Sequence, residues 1–375
     1  MVMNQIYFRS LSALLSLIML LSAGSTLAKK EYVKTYEETY SIAEQGKIDL
    51  ENRYGKIKVR TWAKNEVNIK VAIIVNASSD SKAESTFDRI KINFSNSNNL
   101  VSAKTIIDAK KSFWNFLQQW WGDADLSINY EVYMPESADL EVENRYGDLE
   151  IASISGNMTV DVKYGNFTLD HASEDLLVNL AYGNGVVAKT NRASINLSYG
   201  KIRINDVNTV DIDSRFSKII IESANKVTSE SRYDGYTLGD VGTFTNNGKY
   251  DNVKIEKLEE LTIETKYTKV EVNELLISAF ARHSYGGLSI DNVASSVKDI
   301  DAKGKYTGFE IDLTGLPEFR IQADTRYTKL HDPGDLTYTK EIRDDNEHYI
   351  EGYKGDPNSD VIIKISAEYG GLRLR

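Results

Sequence analysis

The sequence predicts an all-β fold: a parallel β-solenoid, or β-helix, of about twelve coils, with an N-terminal β-rich cap domain that contains one short helix. Three observations predict it. One short phrase built on an aromatic residue recurs at near-constant spacing. Each copy alternates apolar and polar residues with the period of a strand. The spacing is too short for a unit that must hold a helix plus a strand, or a four-stranded propeller blade of about 40 residues.

The phrase first reads Glu51-Asn52-Arg53-Tyr54-Gly55-Lys56-Ile57-Lys58-Val59 and returns as Glu143-Asn144-Arg145-Tyr146-Gly147-Asp148-Leu149-Glu150-Ile151. Its aromatic then falls at Tyr164, Tyr182, Tyr199, Phe216, Tyr233, Tyr250, Tyr267, Tyr285, Tyr306 and Tyr327, with a last copy at Tyr369. From Tyr146 to Tyr327 the steps are 18, 18, 17, 17, 17, 17, 17, 18, 21 and 21 residues. Such a period implies one unit stacked on itself.

In the coil ending at Phe216, Val210, Ile212 and Ser214 alternate with Asp211, Asp213 and Arg215. The first set is expected to face inward and the second outward. Ile219 and Ile221 form a second short strand, followed by Ala224 and Val227 across turns. Successive coils would pair in parallel at roughly 4.8 Å. No coil can bury its apolar row alone, so the stack is the stabilising unit.

The aromatic shares the parity of the apolar row and is expected inward or at a corner. The glycine after it, at Gly55, Gly147, Gly165, Gly183, Gly200, Gly286 and Gly370, is read as supplying unusual backbone angles at a bend. The column Tyr146, Tyr164, Tyr182, Tyr199, Phe216, Tyr233, Tyr250 and Tyr267 is read as a structural ladder. An acid often stands three places before the aromatic and a base one place before it, as in Asp161/Lys163, Asp213/Arg215, Glu230/Arg232, Glu264/Lys266 and Asp324/Arg326. Stacked like charges repel, and the adjacent column of opposite sign is expected to offset this on a solvated face.

Ahead of the repeats, residues 1–28 read as a secretory signal: Arg9 precedes the apolar run Leu11–Leu21, and small residues end at Thr26-Leu27-Ala28. The run is too short to span a bilayer as a helix, so no transmembrane segment is expected in the mature chain. Without residues 1–28, about eleven net negative charges remain. That balance argues against nucleic acid and anionic membranes as partners. The chain has no cysteine, which excludes disulfides and thiol chemistry.

Residues 29–136 are expected to form the cap domain, with strand-like Val67–Val75, a short helix over Ser79–Ile90, and strands to Met134. Residues 137–331 form the solenoid repeats. Residues 332–375 form a C-terminal excursion, bounded by Asp332-Pro333-Gly334-Asp335 and Gly355-Asp356-Pro357-Asn358, and a final coil ending at Tyr369. Gly185 stands at a usual apolar position, which marks a local packing irregularity.

The Tyr-Gly phrase, its upstream copy followed by Trp62, and the intervening helix resemble a family of uncharacterised exported bacterial proteins catalogued as presumed adhesins, with a β-helical repeat region. The resemblance covers nearly all of the chain after residue 28. It implies a bacterial source and a periplasmic, outer-surface or secreted location. It brings no catalytic residues.

Enzyme signals are sparse. His171, His283, His331 and His348 show no ligand spacing. There is no nucleophile elbow, phosphate loop or EF-hand loop. No cofactor or metal site is expected. Phe113-Trp114-Asn115-Phe116-Leu117-Gln118-Gln119-Trp120-Trp121 holds three of the four tryptophans. Phe113, Trp114, Phe116, Trp120 and Trp121 form a candidate binding patch, with packing against the N-terminal domain or over the first coil as the alternative that also explains them. The leading expectation is a non-enzymatic exported binding or structural protein of the cell envelope, adhesin-like, whose partner is a glycan or an envelope or surface protein. The alternatives are a carbohydrate-active hydrolase or lyase on the same scaffold, or an envelope-stress regulatory component.

Overall fold

The computed structural model describes residues 29–108 and 124–375. The expected signal and the aromatic patch at Phe113, Trp114, Phe116, Trp120 and Trp121 lie outside them. The chain divides into two compact units. Among the described residues the smaller gathers Lys29–Lys34, Ile73–Lys91, Ile107–Asp108 and Ala124–Leu126; the larger gathers Thr35–Ala72, Ile92–Ile106 and Ser127–Arg375.

In the smaller unit the expected helix runs over Asp80–Phe87. Ser79 sits in an extended conformation and its side chain accepts from the Lys82 N–H, which satisfies one of the donors a helix start leaves open. Ala83 and Phe87 are the buried residues of the helix. No helix among the described residues is long and apolar enough to cross a membrane.

The larger unit is a parallel β-solenoid of about ten consecutive turns. Each turn pairs with the next through three segments, the shortest being a two-residue step such as Asp206–Val207; the two longer ones form its faces. The first is the strand that leads up to the aromatic; the second is the short strand that follows it. Val142, Val160, Val178, Ile195 and Ile212 lie over one another on the first face. All five are buried. On the second face Ile202, Ile219, Tyr236 and Val253 form the matching file. Gly185, in that same file, is explained by its neighbour. A Cβ there would stand 2.4 Å from Cε1 of Phe167, whose ring fills the place.

The N-terminal end of the stack is closed by parallel pairing. Leu100–Lys104 lies against Lys47–Glu51 on the first face, and Tyr130–Pro135 against Ile57–Trp62 on the second. Asn52 turns inward here. Its amide donates to the Ile128 carbonyl at 2.8 Å and accepts from Thr105 Oγ1 at 3.0 Å. Asn98 and Asn99, both with positive φ, make the two-residue turn between Ile90–Ser97 and Leu100–Ile107.

The C-terminal end departs from the expected order. Ile362–Glu368 does not follow the Tyr327 coil in space. It lies between Asp299–Lys305 and Arg320–Arg326, parallel to both, so that Ala302, Ile365 and Ala323 are successive rungs. Gly371–Leu374 is likewise inserted between Gly308–Ile311 and Lys329–His331. The last strand in sequence is thus the penultimate rung. The alternation Ile363, Ile365, Ala367 fits the same inward files as any other coil, and all three are buried. The charged excursion becomes an antiparallel hairpin, with Glu347–Lys354 on Phe319–Arg326 and Thr337–Arg343 outermost and exposed at every residue.

Candidate binding stripe along the aromatic ladder

The thirteen aromatics form one file. From Tyr54 through Tyr146 to Tyr306, Tyr369 and finally Tyr327, neighbouring rings stack 4.7–5.2 Å apart with interplanar angles of 2–13°. The file runs along a corner. From Tyr146 onward each ring is 41–51% exposed, so the ladder is an outer stripe of the solenoid. Because each ring covers the face of the next, the stripe presents ring edges and, except at Phe216, phenolic hydroxyls.

The backbone corrects the reading of the corner glycines. The aromatic itself carries the positive φ, 51–63° at all thirteen positions. Side chains rarely accept this region, at a cost of roughly 1–2 kcal/mol each. The following glycines have ordinary φ and serve close approach instead. A Cβ on Gly147, Gly165 or Gly183 would lie 1.8–2.0 Å from the carbonyl oxygen of the same position one coil below.

Further along, Ser217, Asp234, Asp251 and Thr268 replace glycine in this column. Their side chains point inward and link coil to coil. The Gly200 N–H donates to Ser217 Oγ at 3.3 Å and the Ser217 N–H to Asp234 Oδ1 at 2.6 Å. The Asp234 N–H donates to Asp251 Oδ1 at 2.8 Å and the Asp251 N–H to Thr268 Oγ1 at 3.3 Å. Ser214 donates to Asp234 and shares a hydrogen bond with the buried Tyr236 hydroxyl, which also meets Ser229; Ser231 donates to Asp251. Burial raises the pKa of both carboxyls, Asp251 to about 6. This polar interior was missed from sequence. Its signal was the run Gly, Ser, Asp, Asp, Thr on consecutive coils, paired with Ser214, Ser231 and Thr265 where apolar residues usually stand.

The charge columns beside the ladder are exposed or half-exposed. None of Asp161/Lys163, Asp213/Arg215, Glu230/Arg232, Glu264/Lys266 and Asp324/Arg326 closes to an ion pair; Arg326 meets Glu347 at 2.8 Å. One acid and base of this spacing do meet at the N-terminal end, where Arg145 Nε stands 2.5 Å from Glu143. Grooves among the described residues include two beside other columns. One, of about 470 Å³, runs between Lys189, Asp206 and Asp240 on one wall and Asn191, Asn208 and Asn225 on the other. The second, of about 370 Å³, has Gly287, Gly308 and Gly371 along its floor and is bordered by Lys269, Lys329 and Arg373.

The histidines stay apart. His283 is buried against Thr265, and burial lowers its pKa to about 4. His171 borders the first groove and His331 the second. His348 hydrogen-bonds with Glu341 at 3.0 Å.

No family model and no curated protein matches the chain. Solved structures similar to it include a presumed cell-adhesion protein from Clostridium sporogenes, at 12% identity over 91% of this chain and 99% of that one, with a TM-score of 0.18. A presumed adhesin from Bacteroides fragilis matches at 12% identity over 74% and 97%, with a TM-score of 0.27. A presumed lipid-binding protein from Parabacteroides distasonis matches at 10% identity over 74% and 96%, with a TM-score of 0.31. Scores at this level carry no inference about ligand or activity. The solved structures that this β-solenoid resembles thus include presumed adhesins and a presumed cell-adhesion protein.

Proposed function

We propose that this chain is a non-enzymatic, adhesin-like binding or structural protein, exported to a bacterial cell envelope, that holds a glycan or a surface protein against its long faces. The observation that carries this reading is the aromatic ladder. It is half exposed in every coil from Tyr146 and runs the length of the stack. A stripe that repeats the same chemistry on each rung suits a repetitive partner. The two carboxyls with the most perturbed surroundings, Asp234 and Asp251, lie inside the solenoid, only 4–5% exposed and hydrogen-bonded to backbone. They are therefore poorly placed to meet a substrate, which weighs against a hydrolase or lyase.

Glycan-array binding by the purified chain tests this. Retention of one or more glycans without cleavage is expected. Release of new reducing ends on incubation would overturn the non-enzymatic reading. Failure to bind any glycan or any extracted envelope protein would overturn the binding reading. Fractionation of cells producing the tagged chain tests export: recovery in the cytoplasm alone would contradict it.

A further inference from the structure

We propose that the part of the stripe between Tyr199 and Tyr267 is a linear anion-binding site that takes an acidic polysaccharide chain lengthwise; this rests on the binding reading above and names the ligand class. Arg215, Arg232, Lys249 and Lys266 occupy one position on four successive coils, immediately before the aromatic. Lys201 and Lys218 pair in register on the opposite flank. Among the described residues none of these six side chains makes an ion pair, a side-chain hydrogen bond or a ring contact.

Four stacked cations at the rung spacing of about 4.8 Å repel one another. The acids two places earlier, Asp213, Glu230 and Glu264, do not close on them, and Asn247 interrupts that column. An external anion laid along the stripe would relieve the repulsion. The rings between the two flanks favour the same partner. Aromatic edges carry the positive end of the ring quadrupole, and Tyr199, Tyr233, Tyr250 and Tyr267 add hydroxyl donors. Rings here repeat at 4.7–5.0 Å, so a chain laid along the stripe meets the same groups at every rung.

Two other polyanions fit less well. Single-stranded nucleic acid gains affinity by stacking bases on open aromatic faces, and each ring face inside the ladder is covered by its neighbour. An anionic membrane would press against the whole first face, where the Asp213, Glu230 and Glu264 column would repel it. A single polysaccharide chain needs only the stripe.

The test compares the full chain with a variant carrying Arg215→Gln, Arg232→Gln, Lys249→Gln and Lys266→Gln. The probes are sodium polygalacturonate, neutral dextran, an oligothymidylate and vesicles rich in phosphatidylserine. The chain is expected to bind polygalacturonate with an affinity that falls as salt rises. The fourfold variant should bind at least about tenfold more weakly, as four exposed charge contacts combine, with an unchanged thermal melt. A Lys226→Gln/Lys257→Gln variant, off the stripe, should bind as the parent does. Tyr233→Phe/Tyr250→Phe, which keeps the stack and removes two hydroxyls, should weaken binding less than the fourfold variant. If the fourfold variant does not fold, the Phe variant and the salt dependence still decide. Equal binding by all variants, no binding of polygalacturonate, or tighter binding of oligothymidylate or vesicles would each overturn the proposal. Binding of neutral glycans alone would overturn it and leave the wider binding reading standing; no binding on the array and none to extracted envelope proteins would overturn both.

Discussion

Asp234 donates its backbone N–H to Oδ1 of Asp251, one coil further on, at 2.8 Å. The carboxyl thus supplies the acceptor for this corner N–H from the next coil. Its position is buried, and burial raises its pKa from 3.8 to about 6. Between these values the folded state holds a proton that the unfolded chain lacks, so this group adds stability as pH falls from 6 towards 4. Asp234 acts in the same direction.

His283 opposes them. Its pKa is lowered from 6.5 to about 4 by burial, so over the same range the unfolded chain takes up a proton that the folded chain refuses. Stability from this group is lost as pH falls through 6.5 towards 4. Replacement of either group unmasks the other. Relative to the parent, Asp251→Asn should lose stability on acidification from pH 7 to 4.5, and His283→Gln should gain it. Thermal melts across that range read both. Parallel pH curves for all three proteins would refute the assignment.

The corner aromatics combine strain with contact. At Tyr233, φ is 59° and the ring stacks on Phe216 and Tyr250. Tyr233→Phe should leave stability almost unchanged. Tyr233→Gly removes the strain and both stacks, each stack worth roughly 0.5–1.5 kcal/mol, and should be mildly destabilising. Tyr233→Val keeps the strain, adds β-branching and loses the stacks, so it should be the worst of the three. A melt in which Val ranks above Gly would contradict this account.

Glycines separate into those the stack requires and those it does not. A Cβ on Gly165 would stand 2.0 Å from the Gly147 carbonyl oxygen, whereas on Gly308 it would meet nothing within 4 Å. Gly165→Ala should therefore destabilise by about 1–3 kcal/mol through overpacking. Gly308→Ala should be neutral or stabilising by about 0.5–1 kcal/mol, because glycine weakens a strand interior. Equal melting temperatures for the two variants would show that coil-to-coil approach is not what selects glycine at position 165.

The period and parity of the repeat were enough to place the core. Val210 and Ile212 are inward and Asp211 and Asp213 outward, as alternation requires. What alternation does not encode is which residue of a corner takes the positive φ, since Tyr and the following Gly are adjacent and only Gly is the usual occupant. Nor does it encode stacking order. Every coil offers the same inward files, so the pattern around Tyr369 fits any rung, and its insertion before Tyr327 depends on tertiary pairing. The candidate site was half legible. The aromatic and basic columns are plain in the sequence, but the absence of contact between Asp213 and Arg215 or Glu230 and Arg232 is a matter of side-chain placement. The interior carboxyls were hidden because a charged residue after the aromatic reads as surface.

The inserted C-terminal strand carries the last prediction. Ile362–Glu368 is the parallel partner of both Asp299–Lys305 and Arg320–Arg326, and Leu313 donates its N–H to the Arg375 carbonyl at 2.8 Å. A chain ended at Asp360 would lose Ile363, Ile365, Ala367, Leu372 and Leu374 from the core, all of them buried. It would leave two facing strand edges without hydrogen-bond partners. The Tyr327 coil and the hairpin beyond it should then open locally, while coils from Tyr199 to Tyr267, each held by neighbours on both sides, should remain closed. Hydrogen exchange would read this as fast exchange across residues 320–326 with unchanged protection across 193–266. A synthetic peptide of residues 361–375 should restore protection by adding back the missing strand. Unaltered protection at 320–326 in the truncated chain would mean that the Tyr327 coil can close directly on the Tyr306 coil, and that the insertion is dispensable to the stack.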